Sequence, residues 1–590
     1  MNLHQDLTSL WCDLVFAEFY RLGIRHICLA PGSRSAPLAL AAERHQQLTI
    51  HSHFDERGLG FFALGLARES DTPVVVVTTS GTAVANLSPA VQEARESGVR
   101  LLLLTADRPP ELLGCGANQT LTQPGIFGEA VARTLLLPVP DQALPVKWLL
   151  QILDEAVAIL KRPDNYVVHI NQALRDPLYG QGTAVDDSEW LKPIRHWFNS
   201  DAPLCHWLVP ENAVLPLPVL NPEQPVLSLG KVVLLAGQLR ASEAAAVAEL
   251  VERSGWLLVA DIQSGLHGHP LALACADMTV AAPAVQTLMS QADLVIQIGR
   301  RVLGKQVNNW LAQCAVEHWY VDERSDRHDP NFSVTRRISM AVQDFCGQLL
   351  NQPVAQNLDY SWRDTILTMG EKVSTVVHSV IDHHTSESES LTEIQAIRAF
   401  YMSMSTERGR HNLFVGNSMP VRYLDSLTNA GVNTDVDSPW QPVWANRGIS
   451  GIDGLMATAS GHSVTSSGRT VILIGDLSFL HDLNSLALVS RYQLVVVLLN
   501  NSGGSIFNLF PVPEPVGARC FRVEHNLRAK GAAQMFDLDY QRPTTQSDFL
   551  KVLQKALDDD RGTVIEVCVP PSEGTDQFMQ LRHAINELAL

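Results

Sequence analysis

Strand-sized apolar runs recur along the chain, separated by stretches whose apolar residues have helical spacing. In the first third the runs fall at residues 24–29, 74–78, 99–104 and 166–170. In the middle they fall at 232–236, 257–260, 294–298 and 318–321, and in the last third at 413–416, 470–474, 494–499 and 563–567. Their content of Val, Ile and Leu suits strands buried on both faces. Helical patterns lie between them, among others at 59–68, 241–253, 391–400 and 483–489. Such alternation predicts parallel sheets covered by helices on both sides. The rhythm breaks at prolines 203, 210, 216, 218, 222 and 225, which read as a linker, and again near 351–360. Residues 372–390, with their Ser, His and Glu content, read as a solvated connector. The expected fold is α/β, with three doubly wound parallel-sheet domains at 1–185, 186–355 (including the Pro-rich linker) and 356–590. No short repeat is present, which excludes a solenoid.

Composition narrows the function classes. The chain has 590 residues, 46% hydrophobic and 18% charged, as well-packed globular domains do. Its formal charge of −18 disfavours non-specific nucleic-acid binding. Nine scattered cysteines without CxxC spacing argue against a disulfide framework or a zinc site. The apolar runs are too short to span a bilayer, and the first residues show no basic segment followed by an apolar core. A cytoplasmic location is expected. His51 and His53 would share one face of a strand, but no acidic or Cys partner follows at metal-ligand spacing, so packing is the simpler role.

In open parallel sheets ligands bind beyond the carboxyl ends of the strands, so motifs directly after apolar runs carry most weight. The 470–474 run leads into Gly475-Asp476-Leu477-Ser478, and the 494–499 run into Asn500-Asn501-Ser502-Gly503-Gly504. A strand–helix–strand unit would bring Asp476 and Asn501 to one sheet edge as hard oxygen ligands, with a backbone carbonyl near Gly503 as a third. Magnesium favours such oxygens. Either motif alone reads equally well as an ordinary turn. In the first third, His53-Phe54-Asp55-Glu56-Arg57-Gly58 precedes an apolar, small-residue helix. Asp55 suits a helix start, which leaves Glu56 as the sharper candidate for chemistry.

On these motifs the sequence resembles the thiamine-diphosphate enzyme superfamily, whose metal motif is Gly-Asp-Gly followed by a paired Asn. Leu477 stands where the last glycine is usual. The resemblance implies thiamine diphosphate as cofactor, held through Mg2+ (or Mn2+ in its place) by Asp476, Asn501 and Gly503. Gly475, Leu477, Ser478 and Gly504 would surround the diphosphate. Glu56 would hydrogen-bond N1′ of the aminopyrimidine and so favour the imino tautomer that removes the C2 proton. Thr79-Ser80-Gly81-Thr82-Ala83 looks like the pyrimidine loop of the family, which implies cofactor contacts at Ser80, Gly81 and Thr82; its simpler reading is a helix N-cap. Family geometry also implies a homodimer with active sites shared between subunits, with further pairing into a homotetramer left open.

Arginines in loop motifs point to the substrate. They lie in Ala30-Pro31-Gly32-Ser33-Arg34-Ser35, in Thr105-Ala106-Asp107-Arg108 with Asn118-Gln119 following, in Gly416-Asn417-Ser418-Met419-Pro420-Val421-Arg422, and in Asn446-Arg447-Gly448-Ile449-Ser450-Gly451-Ile452. Any one of them is by default a surface ion pair. Four in such loops favour multiply carboxylated substrates, which the guanidinium fork matches. The set resembles the menaquinone-biosynthesis branch of the superfamily. That resemblance implies 2-oxoglutarate as donor and isochorismate as acceptor, with the cofactor's thiazolium as the electron sink for decarboxylation and a 1,4-addition of the succinyl fragment. Arg34, Arg422 and Arg447 would join Glu56 in catalysis. Ser33, Arg108, Gln119, Lys305, Ser418 and Phe507 would contact substrates. Ser418, Ile452 and Ile506 would also contact the cofactor. Gln306 departs from a Lys-Arg pattern expected after Gly304. Two other readings stay open: an acetohydroxyacid-synthase-like decarboxylase or ligase, and a non-catalytic ligand-binding relative. A dinucleotide oxidoreductase would need a GxGxxG fingerprint, which is lacking.

Overall fold

The computed structural model describes residues 6–180, 187–207, 225–353, 359–387, 390–406, 411–428 and 443–588. Most of the Pro-rich stretch and part of the break near 351–360 lie outside these residues.

Three sheets form, and every strand pair in them is parallel. The first holds β1 (His26–Leu29), β2 (Thr49–Ser52), β3 (Val74–Thr78), β4 (Leu101–Asp107), β5 (Arg133–Leu137) and β6 (Val167–Ala173), in the order β2-β1-β3-β4-β6-β5. The second holds β7 (Val232–Ala236), β8 (Leu257–Ala260), β9 (Leu294–Ile298), β10 (His318–Val321) and β11 (Arg336–Ile338), ordered β11-β10-β9-β7-β8. The third holds β12 (His411–Val415), β13 (Arg469–Gly475), β14 (Val495–Asn500), β15 (Asp539–Gln541) and β16 (Thr563–Cys568), ordered β12-β13-β14-β16-β15. Central strands such as Val74–Thr78 and Val495–Asn500 are buried at every residue. That is why their apolar runs are unbroken rather than alternating.

The chain forms two compact units. One comprises Met1–Glu211, Asn446–Ser466 and His481–Tyr492; the other comprises Asn212–Ala445, Ser467–Leu480 and Gln493–Leu590. In the first unit the helix Glu56–Ser70 crosses the helix Leu455–His462 at very close range. A Cβ added at Gly65 would lie 1.9 Å from the Thr458 carbonyl oxygen, and one at Gly461 would lie 1.9 Å from that of Phe62. The small residues of the Glu56 helix therefore serve backbone-to-backbone approach. Glu69 and His462 also approach within 2.8 Å at the same crossing.

In the second unit one expectation is overturned. Residues 372–387 are not a solvated connector but part of a 27-residue helix, Ser361–Glu387. Trp362 and Ile366 enter the core of the middle sheet, whereas Val373, Val377 and Ile381 enter that of the last. Spacings of four place these residues on one stripe of the helix. Among the described residues no helix is long and apolar enough to cross a membrane.

Candidate active site

The acidic motif of the first unit is built as a helix start. Asp55 is the N-cap of Glu56–Ser70, and its Oδ1 accepts from the N–H groups of Arg57 (3.0 Å) and Gly58 (3.4 Å). Capping consumes Asp55 in the way its position suggests. Glu56, the first residue of the helix, is half-buried.

Strand β3 ends in the Ser80–Thr82 loop. Ser80 is buried, and its hydroxyl donates to the Gln119 carbonyl at 3.0 Å, while Gln119 Nε2 donates to the Ser80 carbonyl at 3.0 Å. Gly81 N–H donates to Gln123 Oε1 at 2.9 Å. Gln123, fully buried, in turn donates to the Ala106 carbonyl (3.1 Å) and to Asn171 Oδ1 (2.8 Å). Asn171 donates to Asp107, whose other oxygen accepts the Arg108 N–H at 2.7 Å. One polar network thus joins the loops after β3 and β4. Gln123 is its centre, and nothing in the sequence singled it out. Thr82 opens the short helix Thr82–Ala85 and is exposed.

The arginines of this unit differ in how far their own chain occupies them. Arg34 is buried, 4% exposed, and donates to the Leu174 carbonyl (2.9 Å) and Asp176 (3.2 Å). Its Nε has no partner among the described residues. Ser33 shares a hydrogen bond with the Tyr179 hydroxyl at 2.8 Å. Arg108 donates to the Asn118 carbonyl at 2.9 Å, and among the described residues its Nε also lacks a partner. Arg447 sits in a loop pinned by Glu93, a residue that the motifs did not mark. The buried Glu93 carboxylate accepts from the N–H groups of Gly448 (2.8 Å) and Ile449 (2.7 Å) and from the Ser97 hydroxyl (2.6 Å). Beyond this loop Ile452 remains partly exposed. Buried Asp482 then accepts from the N–H groups of Met456 and Ala457 in the first turn of Leu455–His462. Burial pushes the Asp482 carboxyl up to about 6.

In the second unit the paired motifs meet at adjacent strands, since Gly475 of β13 stands beside Leu499 of β14. Asp476 is buried. Its Oδ1 accepts the Leu477 N–H (2.6 Å), its Oδ2 accepts the Gly503 N–H (2.9 Å), and His525 Nε2 lies 3.4 Å from Oδ2. Burial holds its carboxyl above the ordinary range. Asn501 donates through Nδ2 to Ser505 Oγ at 2.9 Å and toward Glu393, while its buried Oδ1 has no partner among the described residues. Ser478 is buried beside them, and Gly504 N–H donates to the Arg522 carbonyl at 2.8 Å. Ile506 packs against the core of the last sheet, and Phe507 meets Phe510 and Phe521.

Arg422 lies one turn into the helix Met419–Leu427 and donates to the Ser418 carbonyl at 2.5 Å; Ser418 has φ 72°. Lys305 is exposed at the start of Lys305–Gln313, where half-buried Asp277 accepts the Gln306 N–H at 2.5 Å. Gln306 therefore contributes to this helix start through its backbone.

The donors around Asp476 suit a hard cation. One carboxylate and one carboxamide oxygen sit at adjacent strand ends, and among the described residues nothing donates to the buried carboxamide oxygen. Magnesium takes such oxygens and completes its shell with phosphate and water. Among the described residues no cluster of three His, Cys, Asp or Glu forms a metal site of another kind.

Three family models match in order along the chain: the thiamine pyrophosphate enzyme N-terminal TPP binding domain at residues 12–126, the middle domain of thiamine pyrophosphate enzymes at 188–414, and the C-terminal TPP binding domain at 438–567. Together with the strand-end geometry they define a thiamine-diphosphate-dependent enzyme built of α/β domains. Among curated proteins the chain is 40% identical over 585 residues to a 2-succinyl-5-enolpyruvyl-6-hydroxy-3-cyclohexene-1-carboxylate synthase of Shewanella loihica, covering 98% of each chain. It is 37% identical over 597 residues to the synthase of that name from Shewanella frigidimarina, covering 99% of each. The chain belongs to the family of these synthases.

Proposed function

We propose that the chain decarboxylates 2-oxoglutarate and adds the succinyl fragment, in a 1,4 sense, to isochorismate, giving 2-succinyl-5-enolpyruvyl-6-hydroxy-3-cyclohexene-1-carboxylate and CO2 in menaquinone biosynthesis. Full-length likeness to synthases of that name carries this reading, and the motifs around Glu56, Asp476 and Asn501 support it. Bound thiamine diphosphate supplies the electron sink for the decarboxylation.

The chain's own residues bind, orient and move protons. Glu56 holds a proton at N1′ of the aminopyrimidine. Asp476, Asn501 and the Gly503 carbonyl hold Mg2+, or Mn2+ in its place, against the diphosphate. Gly475, Leu477, Ser478 and Gly504 surround that diphosphate, while Ser80, Gly81 and Thr82 border the pyrimidine. Ser418, Ile452 and Ile506 support the rest of the cofactor. Arg108, Arg422, Arg447 and Lys305 meet substrate carboxylates, with Gln119, Ser33 and Phe507 completing the walls. Arg34, whose guanidinium is engaged by Leu174 and Asp176, offers the substrate only what that pairing leaves free. Positive groups fixed in place stabilise the charge that develops on the enolate. The working unit is a homodimer in the cytoplasm, each cofactor shared by Glu56 of one protomer and Asp476 and Asn501 of its partner.

The test supplies thiamine diphosphate, Mg2+ and 2-oxoglutarate, with and without isochorismate. Release of CO2 coupled to loss of isochorismate is expected. Aldehyde release from 2-oxoglutarate that ignores isochorismate would instead make the chain a different thiamine-dependent decarboxylase. Tight binding of these ligands without turnover would make it a non-catalytic relative.

A further inference from the structure

The carboxamide of Asn501 is held by two acceptors from opposite directions. Ser505 Oγ lies one turn on, 2.9 Å from Nδ2. Glu393 comes from far away in the chain, and its two carboxylate oxygens lie 3.2 and 3.4 Å from the same nitrogen. The NH2 end of the amide therefore faces the Glu393 carboxyl group and donates toward it. The amide oxygen is thereby turned the other way. That oxygen is buried and has no partner among the described residues, an arrangement that is costly unless something else meets it.

Glu393 is itself fixed in place. It is the first residue of the helix Glu393–Thr406 and is 1% exposed. Thr392 and Gln395 cap that helix reciprocally, at 3.1 and 3.2 Å. The Glu393 N–H donates to Glu573 at 3.3 Å. Behind the carboxylate only a hydrogen fits, because a Cβ added at Gly574 would lie 2.2 Å from Oε2. The carboxylate therefore has little room to leave Asn501.

We propose that Glu393 is a positioning residue for the metal: it fixes the Asn501 carboxamide with its oxygen toward the divalent cation that anchors the cofactor diphosphate. The proposal rests on reading Asp476 and Asn501 as ligands of that cation. Outer partners of this kind commonly contribute about 10- to 100-fold to metal affinity.

The test uses Mn2+ as a paramagnetic probe, titrated into the full-length protein with thiamine diphosphate and followed by electron paramagnetic resonance. Glu393→Ala is expected to weaken Mn2+ binding about 10- to 100-fold. Glu393→Gln keeps an oxygen that can accept from Asn501 and is nearly isosteric, so it should recover most of that loss. Asn501→Asp should weaken binding by setting two carboxylates face to face. Combining it with Glu393→Gln should restore much of the affinity, since the new amide can donate where the old carboxylate accepted. Wild-type Mn2+ affinity in Glu393→Ala, with Asn501→Ala clearly weakened, would overturn the positioning role alone. Failure of the double variant to regain any affinity would also overturn it. Wild-type affinity in Asn501→Ala would instead remove the metal reading on which the proposal stands.

Discussion

Glu93 offers the sharpest single test of how the Arg447 loop is held. Its carboxylate accepts two backbone N–H groups, from Gly448 and Ile449, at 2.8 and 2.7 Å. Hydrogen bonds to a charged group contribute about 1.5–3 kcal/mol each. Removing that acceptor should raise the opening equilibrium at each amide by roughly 10- to 150-fold, at 1.4 kcal/mol per decade. Gly448 is only half-buried and Ile449 is exposed, so water recovers part of this and the lower half of the range is expected. Hydrogen–deuterium exchange in Glu93→Ala should therefore show faster exchange confined to residues 446–452, with the core strand Val74–Thr78 unchanged. The KM for 2-oxoglutarate should rise with it, because Arg447 rides on the loosened loop. Glu93→Gln, which keeps one acceptor oxygen, should fall between the two. Unaltered exchange at Gly448 and Ile449 in the alanine variant would refute the claim that Glu93 pins the loop.

Glu56→Gln should keep cofactor binding, measured by fluorescence titration, but lose turnover by about 100-fold or more, the scale of a general acid–base contribution; near-normal turnover would remove Glu56 from its role. Asp476→Ala should weaken Mg2+ and cofactor binding together by at least about 100-fold, beyond the usual cost of an outer partner, and calorimetry showing both affinities unchanged would take it out of the metal site. The pH dependence of stability should report Asp154, whose carboxyl burial and the adjacent Glu18 push up to about 9. The folded state keeps a proton there that the unfolded chain releases above about pH 4. The stability this contributes is fully present below about pH 4, falls as pH rises from about 4 toward about 9, and levels off above that. Melting curves of Asp154→Asn should flatten the decline across that window; an unchanged slope there would exclude the pair as its source.

The central strands were legible because they are buried on both faces and so carry unbroken aliphatic runs. The strands that the pattern passed over are edges. Arg133–Leu137, Arg336–Ile338 and Asp539–Gln541 are short, charged or half-exposed, and they pair on one side only. The helix Ser361–Glu387 was obscured by its polar content, although Val373, Val377 and Ile381 mark a buried stripe. At the site, Asp476 and Asn501 could be found because each follows a buried strand directly. Gln123, Glu93, Glu393 and Asp482 could not, because a buried polar residue in a loop or helix has the same local sequence as a solvated one. Arg34 shows the converse. Its motif stands where a ligand contact belongs, yet much of its guanidinium serves Leu174 and Asp176.

The make-up of the first unit sets a timetable for biosynthesis. Its opening segment ends at Glu211, but the pieces Asn446–Ser466 and His481–Tyr492 that complete it are translated roughly 235 to 280 residues later. At about 5–20 residues per second the helix Leu455–His462 follows after a delay on the order of 10–50 s. Throughout it, the glycine-notched side of Glu56–Ser70 lacks the helix that will cover it. A nascent chain stalled before residue 446 should thus be a preferred client for chaperones, and an amino-terminal fragment ending at 211 should aggregate rather than fold.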